Sequence, residues 1–190
     1  MPRILLTAFE PYDCWPENSS WLALIEFTKR LDGSAKVTTR LYPTDLAAAV
    51  QRLEEDLAGQ HDYVLHLGQA PGAAQLRLEA IGVNVATESA GHPDQVRTLV
   101  PDGPVAYRSR LPLAQWAEML RQAGIPASVS YHAGTYLCNA ILYLSHYYIM
   151  WSSGAFPRRR HSSTCRWIPR RWLACRGSCR RCRPPCALKR

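Results

Sequence analysis

Tyr63-Val64-Leu65-His66-Leu67-Gly68-Gln69-Ala70-Pro71-Gly72 is the stretch on which the fold turns. A short apolar run closes on Gly68 and breaks into turn formers, the pattern of a buried strand ending in a loop that can offer backbone groups to a ligand. Most such loops are only turns, so the neighbouring segments carry the argument. Upstream, Leu46, Val50, Leu53 and Leu57 form one helical stripe that Thr44 can cap and Gly59 ends. Residues 36–42 before it read as a strand. Further back, Trp21, Leu22, Leu24, Ile25, Thr28 and Leu31 recur at helical spacing behind the cap candidates Asn18, Ser19 and Ser20. Residues 3–8, with Ile4, Leu5 and Leu6, read as a first strand running into Phe9-Glu10-Pro11. Downstream, residues 76–85 alternate as a strand, residues 113–123 form a helix closed by Gly124, and residues 127–130 are strand-like. A last helix starts near Gly134-Thr135 and runs through Ile141, Leu142 and Leu144 to Tyr148. Strands alternating with helices predict an α/β sandwich on a largely parallel sheet, with no internal repeat.

The chain has 190 residues, 47% apolar and 20% charged, and a net charge of +8. That length suits one domain able to bury a core without disulfides or a metal. The positive charge is not spread over it. Twelve of the 23 Lys and Arg residues lie in the last forty positions, where there is no Asp or Glu. The remainder has 11 basic residues (23 less those 12) against 15 acidic ones. The charge therefore belongs to a tail and does not argue for a nucleic-acid-binding fold. Cysteine divides the same way: Cys14 and Cys138 in the body, and Cys165, Cys175, Cys179, Cys182 and Cys186 in the tail. Two isolated thiols in a large core fit a reducing compartment, so a cytoplasmic setting is expected. The apolar run near Met1 is too short for a signal-peptide core, and nothing approaches the roughly 20 apolar residues of a membrane span.

Cys138 is the first candidate for chemistry. With Thr135 as an N-cap, it falls in the first turn of the last helix, where free N–H groups and the helix dipole favour the nucleophilic thiolate. The same placement also fits a buried structural cysteine. Glu79, in Leu76-Arg77-Leu78-Glu79-Ala80-Ile81, points to the same face as apolar Ile81 and Val83. A carboxylate directed at a core needs a partner, unless the strand is an edge or its register is different.

These segments together resemble the pyroglutamyl peptidase I (pyrrolidone-carboxylate peptidase) family. The resemblance is carried by Thr7-Ala8-Phe9-Glu10-Pro11-Tyr12, Asn18, Gly68 to Gly72, Leu78-Glu79-Ala80-Ile81-Gly82-Val83-Asn84 and Ala133-Gly134-Thr135-Tyr136-Leu137-Cys138-Asn139, collinear over about residues 3–148. It implies a three-layer α/β/α sandwich on a mostly parallel mixed sheet, often tetrameric, with no metal or cofactor. It implies a cytosolic thiol peptidase acting on peptides that begin with pyroglutamate. Carried over by position, Cys138 resembles the nucleophile and Glu79 the acidic member of a Cys-His-Glu triad. Phe9 and Tyr12 match the aromatic pair that holds the pyrrolidone ring, and Gln69 falls where the loop recognises the lactam. The family usually has Phe at the position of Tyr12. Arg77 and Ala80 replace a hydroxyl and a basic residue beside Glu79. The family's acid-then-arginine segment has no counterpart in residues 85–92.

The family's histidine belongs in a strand of the form Phe-Ile-His-Leu/Val-Pro, some two dozen residues after the cysteine. Here that distance is occupied by Arg160-His161-Ser162-Ser163-Thr164-Cys165-Arg166-Trp167-Ile168-Pro169. Among the synonymous codons for His161 to Pro169 is the set CAT TCA TCC ACC TGC CGC TGG ATC CC. Read from the third base of the His161 codon, the same bases spell Phe-Ile-His-Leu-Pro-Leu-Asp-Pro, the missing motif. Residues 1–148 are therefore expected to be an α/β domain whose C-terminal part is missing. Residues 149–190 are expected to be an Arg/Cys/Pro-rich, frameshifted and disordered tail. His161, in its Arg- and Ser-rich setting, does not read as a buried strand. A zinc site on Cys175, Cys179, Cys182 and Cys186, or a nucleic-acid-binding tail, is the rival reading. A catalytically dead remnant that still binds pyroglutamyl ligands is another.

Overall fold

The structure, a computed structural model, describes residues 1–87, 95–151 and 161–166. Its centre is a six-stranded sheet built from β1 (Arg3–Phe9), β2 (Lys36–Tyr42), β3 (Tyr63–Gly68), β4 (Leu76–Glu79), β9 (Ala127–Ser130) and β10 (His161–Arg166). The strand order is β2-β1-β3-β10-β4-β9. β1, β2, β3 and β10 are mutually parallel, while β4 and β9 run the other way. Two small antiparallel pairs stand beside this sheet. β5 (Ile81–Val83) pairs with β8 (Ala106–Arg108), and β6 (Val85–Thr87) with β7 (Val96–Thr98).

Alternation along the strands explains the layers. On one face, Leu5, Phe9, Tyr42 and Val64 pack against α2 (Leu46–Ala58) and α4 (Leu137–Trp151). On the other, Leu6, Ala8, Leu65 and Leu67 pack against Leu24 of α1 (Ser19–Thr28), and Leu78 and Val129 against α3 (Leu113–Gln122). The architecture is thus a three-layer α/β/α sandwich on a mostly parallel mixed sheet. Asn18 caps α1 as expected, its side chain accepting from Ser20 N. The α2 cap is Asp45 rather than Thr44, because Asp45 accepts from Ala48 N at 2.8 Å while the Thr44 carbonyl takes the Tyr136 hydroxyl.

Three local expectations are corrected. Residues 76–85 do not form one strand. The chain leaves the central sheet at Ala80, whose N–H bonds Ser130 O and whose carbonyl takes Ser109 N. The alternating pattern continues into β5 and β6, but with new partners. Next, α4 begins at Leu137 rather than near Thr135, because the Thr135 carbonyl accepts from Thr87 N and Oγ1 instead of opening the helix. Last, residues 161–166, whose Arg- and Ser-rich setting does not read as a strand, form β10, parallel to β3 and antiparallel to β4. A ladder pairs N–H and C=O groups whatever the side chains, and two flanking strand edges supply both. Glu88 to Asp94, 152–160 and 167–190 lie outside the described residues, and with them the expected tail cysteine cluster.

Candidate active site

α4 runs antiparallel to β1, β2 and β3. The Tyr136 hydroxyl at its start bonds Thr44 O, just beyond the end of β2, while Ser145, further along, bonds His66 in the middle of β3. Cys138, in the first turn of α4, therefore lies at the C-terminal edge of the parallel strands. That edge is also where strand order reverses: β1 is followed through α1 by β2 on one side, and β2 through α2 by β3 on the other. Ligands of open α/β sheets bind in the crevice at such a point.

This edge is held by a hydrogen-bond network around the first turn of α1. Phe9 N donates to Ser20 Oγ at 3.1 Å, and Ser20 Oγ donates to Asn18 Oδ1 at 2.7 Å. The Asn18 amide nitrogen donates to Glu10 O at 2.8 Å. Across the crevice, Ser19 N donates to Gln69 Oε1 at 2.7 Å. The Gln69 carboxamide oxygen thus ties its loop to the start of α1. Phe9 is packed in the core edge-on to Tyr42, their ring centroids 6.1 Å apart. Tyr42 is fixed in turn by donating to Asp56 Oδ2 at 3.0 Å, and burial with that carboxylate beside it holds its phenol well above the usual range. Tyr12 is half-buried in the loop after β1, where its carbonyl accepts from Trp15 N.

Cys138 is a half-buried free thiol. Its neighbour Asn139 is fully buried and clamps α4 to the chain just beyond Glu79. Asn139 Oδ1 accepts from Val83 N at 2.9 Å, and its amide nitrogen donates to Val83 O at 3.0 Å and Val85 O at 2.7 Å. Gly82 permits this approach, since a Cβ there would stand 2.7 Å from Tyr143 N. Glu79 is the last residue of β4 and is fully buried. Because Leu78 packs against α3, Glu79 faces the α2–α4 layer, the side that carries Cys138. Phe9, Gln69 and Cys138 thus gather at one edge of the sheet. Glu79 lies deeper on the same face as Cys138, and Tyr12 sits in the loop after β1.

The register places Thr7, His66, Thr164, Glu79 and Ser130 on one row across five strands. The position next to Glu79 on β10 is Thr164. Among the histidines whose side chains are described, His66 has both ring nitrogens bonded to hydroxyls. His146 Nδ1 bonds Leu142 O, and its ring stacks on Tyr107. His132 is exposed. His66 was not singled out by sequence. The available signal was its parity with Val64, which puts a polar ring on an apolar face.

The sequence profile described as pyroglutamyl peptidase matches residues 2–160. The chain belongs to the pyroglutamyl peptidase family. A pyrrolidone-carboxylate peptidase of Clavibacter michiganensis subsp. michiganensis is 40% identical over 151 residues, 76% of this chain and 70% of that protein. One of Bacillus subtilis is 36% identical over 150 residues, 74% and 68% of the two chains. Among solved structures, pyroglutamyl peptidase I of Bacillus amyloliquefaciens superposes with a TM-score of 0.80 at 25% identity, covering 94% of this chain and 87% of that one. The pyrrolidone carboxyl peptidase of Fervidobacterium islandicum AW-1 gives 0.78 at 29% identity, covering 87% and 80%. The pyroglutamyl peptidase assignment makes the chain an enzyme of hydrolytic, peptide-cleaving type. No helix among the described residues is long and apolar enough to cross a membrane.

Proposed function

We propose that the body of this chain is the scaffold of a cysteine peptidase that removes N-terminal pyroglutamyl residues, and that the chain as given lacks its proton-transfer residue. Cys138 is the nucleophile. Phe9 and Tyr12 grip the pyrrolidone ring, the Gln69 loop reads the lactam, and Glu79 is the acid that orients an imidazole. In the complete enzyme the thiolate attacks the pyroglutamyl carbonyl. The imidazole protonates the leaving amine, and water then hydrolyses the acyl-enzyme. The natural substrates are peptides that begin with pyroglutamate, met in the cytoplasm, in keeping with the isolated thiols of the body.

The observation that supports the missing base is the pairing of Thr164 with Glu79. In the shifted frame of the codon set given above, the last base of the Ser163 codon and the first two of the Thr164 codon spell histidine. The displaced imidazole therefore falls on the sheet position beside the acid that would orient it. From about Tyr148 onward the sequence is then a frameshift product, in which GC-rich DNA read out of frame gives Arg, Pro, Cys and Trp without acids.

Two proteins test this: the chain as given and the product of the frame-restored gene. Turnover of pyroglutamyl-p-nitroanilide is expected from the second and to be lower by orders of magnitude in the first. Cys138→Ala is expected to abolish it in the restored protein. Equal activity in the two proteins, or a nucleotide sequence with no alternative open frame beyond codon 190, overturns the reading.

A further inference from the structure

The mechanism above leaves one buried, hydrogen-bonded imidazole unused. His66 is fully buried, with Nδ1 2.7 Å from Thr7 Oγ1 and Nε2 2.7 Å from Ser145 Oγ, and all three residues are fully buried. It therefore joins β1, β3 and α4 through two directional contacts. Other hydrogen bonds from side chains on and just before α4 reach elsewhere: Asn139 to β5 and β6, Tyr136 to the loop before α2, Tyr143 to Pro104 and Tyr148 to Glu54 of α2.

Dead reckoning links this bridge to the reacting thiol. Cys138 and Ser145 are seven residues apart on one helix, about two turns or roughly 10.5 Å, and share a face to within about 20°. His66 and the start of the loop at Gln69 are three residues apart, roughly 10 Å along the strand. Since α4 is antiparallel to β3, fixing Ser145 over His66 sets Cys138 over the Gln69 loop. The contacts of Ala140, Ile141, Leu142 and Leu144 beneath α4 are apolar, and apolar burial has no direction along the helix axis. They hold α4 down without fixing how far it has slid over β1 and β3, and the Asn139 clamp ties it to β5 and β6 instead. A neutral imidazole between two hydroxyls does fix it, since each ring nitrogen makes one bond of defined length and angle.

We infer that His66 is a positioning residue: with Thr7 and Ser145 it sets the axial register of α4, and so the height of the Cys138 sulfur above the crevice that receives the pyroglutamyl ring. The inference rests on the reading of Cys138 as the reacting thiol. A misplacement of about 1 Å in such a site can cost about a hundredfold in rate, so a small slide is enough to matter.

The test uses the chain as it exists and needs no turnover. Pyroglutamyl chloromethyl ketone alkylates a thiol held over its docking site, the thiolate displacing chloride, and peptide mass spectrometry reads the modification at Cys138 apart from the other cysteines. In Ser145→Ala the limiting inactivation rate is expected to fall about tenfold or more, while the half-saturation concentration for the label stays constant. The rate with iodoacetamide, which docks nowhere, should also stay constant. Ser145→Thr, which keeps the hydroxyl, should restore the limiting rate. Where Ser145→Ala melts below the assay temperature, Thr7→Val, cutting the far end of the bridge, is read in the same way. An unchanged limiting rate, or a fall matched by iodoacetamide, overturns the positioning role. Failure of the label to modify Cys138 in the unsubstituted chain removes the site reading itself, and this inference with it.

Discussion

Asn139 offers the most direct test of how the site is assembled. Its amide makes three hydrogen bonds to the backbone of Val83 and Val85, accepting one and donating two, from a fully buried position beside Cys138. Asn139→Ala deletes all three. At about 1 kcal/mol net for each bond, the loss is about 3 kcal/mol. For a chain of this size that lowers the melting temperature by about 6–12 °C. Asn139→Asp separates hydrogen bonding from shape. The carboxylate still fills the space and accepts from Val83 N–H, but it has no donor for the Val83 and Val85 carbonyls and sets negative charge against both. It is therefore expected to be at least as unstable as the alanine variant, whereas a space-filling role predicts near-parental stability. Thermal melts and urea unfolding at neutral pH, followed by tryptophan fluorescence, measure both. An alanine variant melting within about 2 °C of the parent, or an aspartate variant clearly more stable than alanine, refutes the clamp.

Other consequences are as direct. Burial, with His146 nearby, lowers the His66 pKa from 6.5 to about 3, so the folded chain keeps this ring neutral while the unfolded chain protonates it as pH drops below 6.5. Stability should therefore fall by about 1.4 kcal/mol per pH unit below that point, and the urea midpoint of a His66→Asn variant should lack this part of the slope; a flat parental profile between pH 6.5 and 4.5 refutes it. Gly82→Ala places a methyl 2.7 Å from Tyr143 N, backbone that cannot swing aside. A loss of about 1–3 kcal/mol is expected in thermal melts, and parental stability would show that α4 yields freely there. Asp56→Asn removes the charge shared by Arg40 (2.7 Å) and the Tyr42 hydroxyl, so α2 should loosen on β2 and amide exchange in residues 46–58 should accelerate; unchanged exchange there counts against this.

The elements legible in the sequence were those whose period and caps agreed. Asn18 before the stripe of α1, Leu46 to Leu57 in α2, the runs of β1 and β3, and Ala127 to Ser130 all give local pattern and tertiary pairing the same answer. Residues 76–85 read as one strand because alternation persists through Ala80. What divides them is pairing with Ser130, Arg108 and Thr98, which lies far away in sequence. β7 and β8 are short and mostly exposed, so they carry little apolar signal. β10 was unreadable for the opposite reason: its Arg- and Ser-rich sequence has no strand pattern, and its place is set by the edges of β3 and β4. At the site, Cys138 and Glu79 were legible as a helix-start thiol and an inward carboxylate. Asn139 and His66 were not, because each does its work through partners 54 to 79 residues away.

The filling of the slot between β3 and β4 has a biological corollary. Because an extended segment can close that gap without regard to its side chains, a message misread past Tyr148 need not yield debris. It can yield a chain whose central sheet still runs unbroken from β2 to β9.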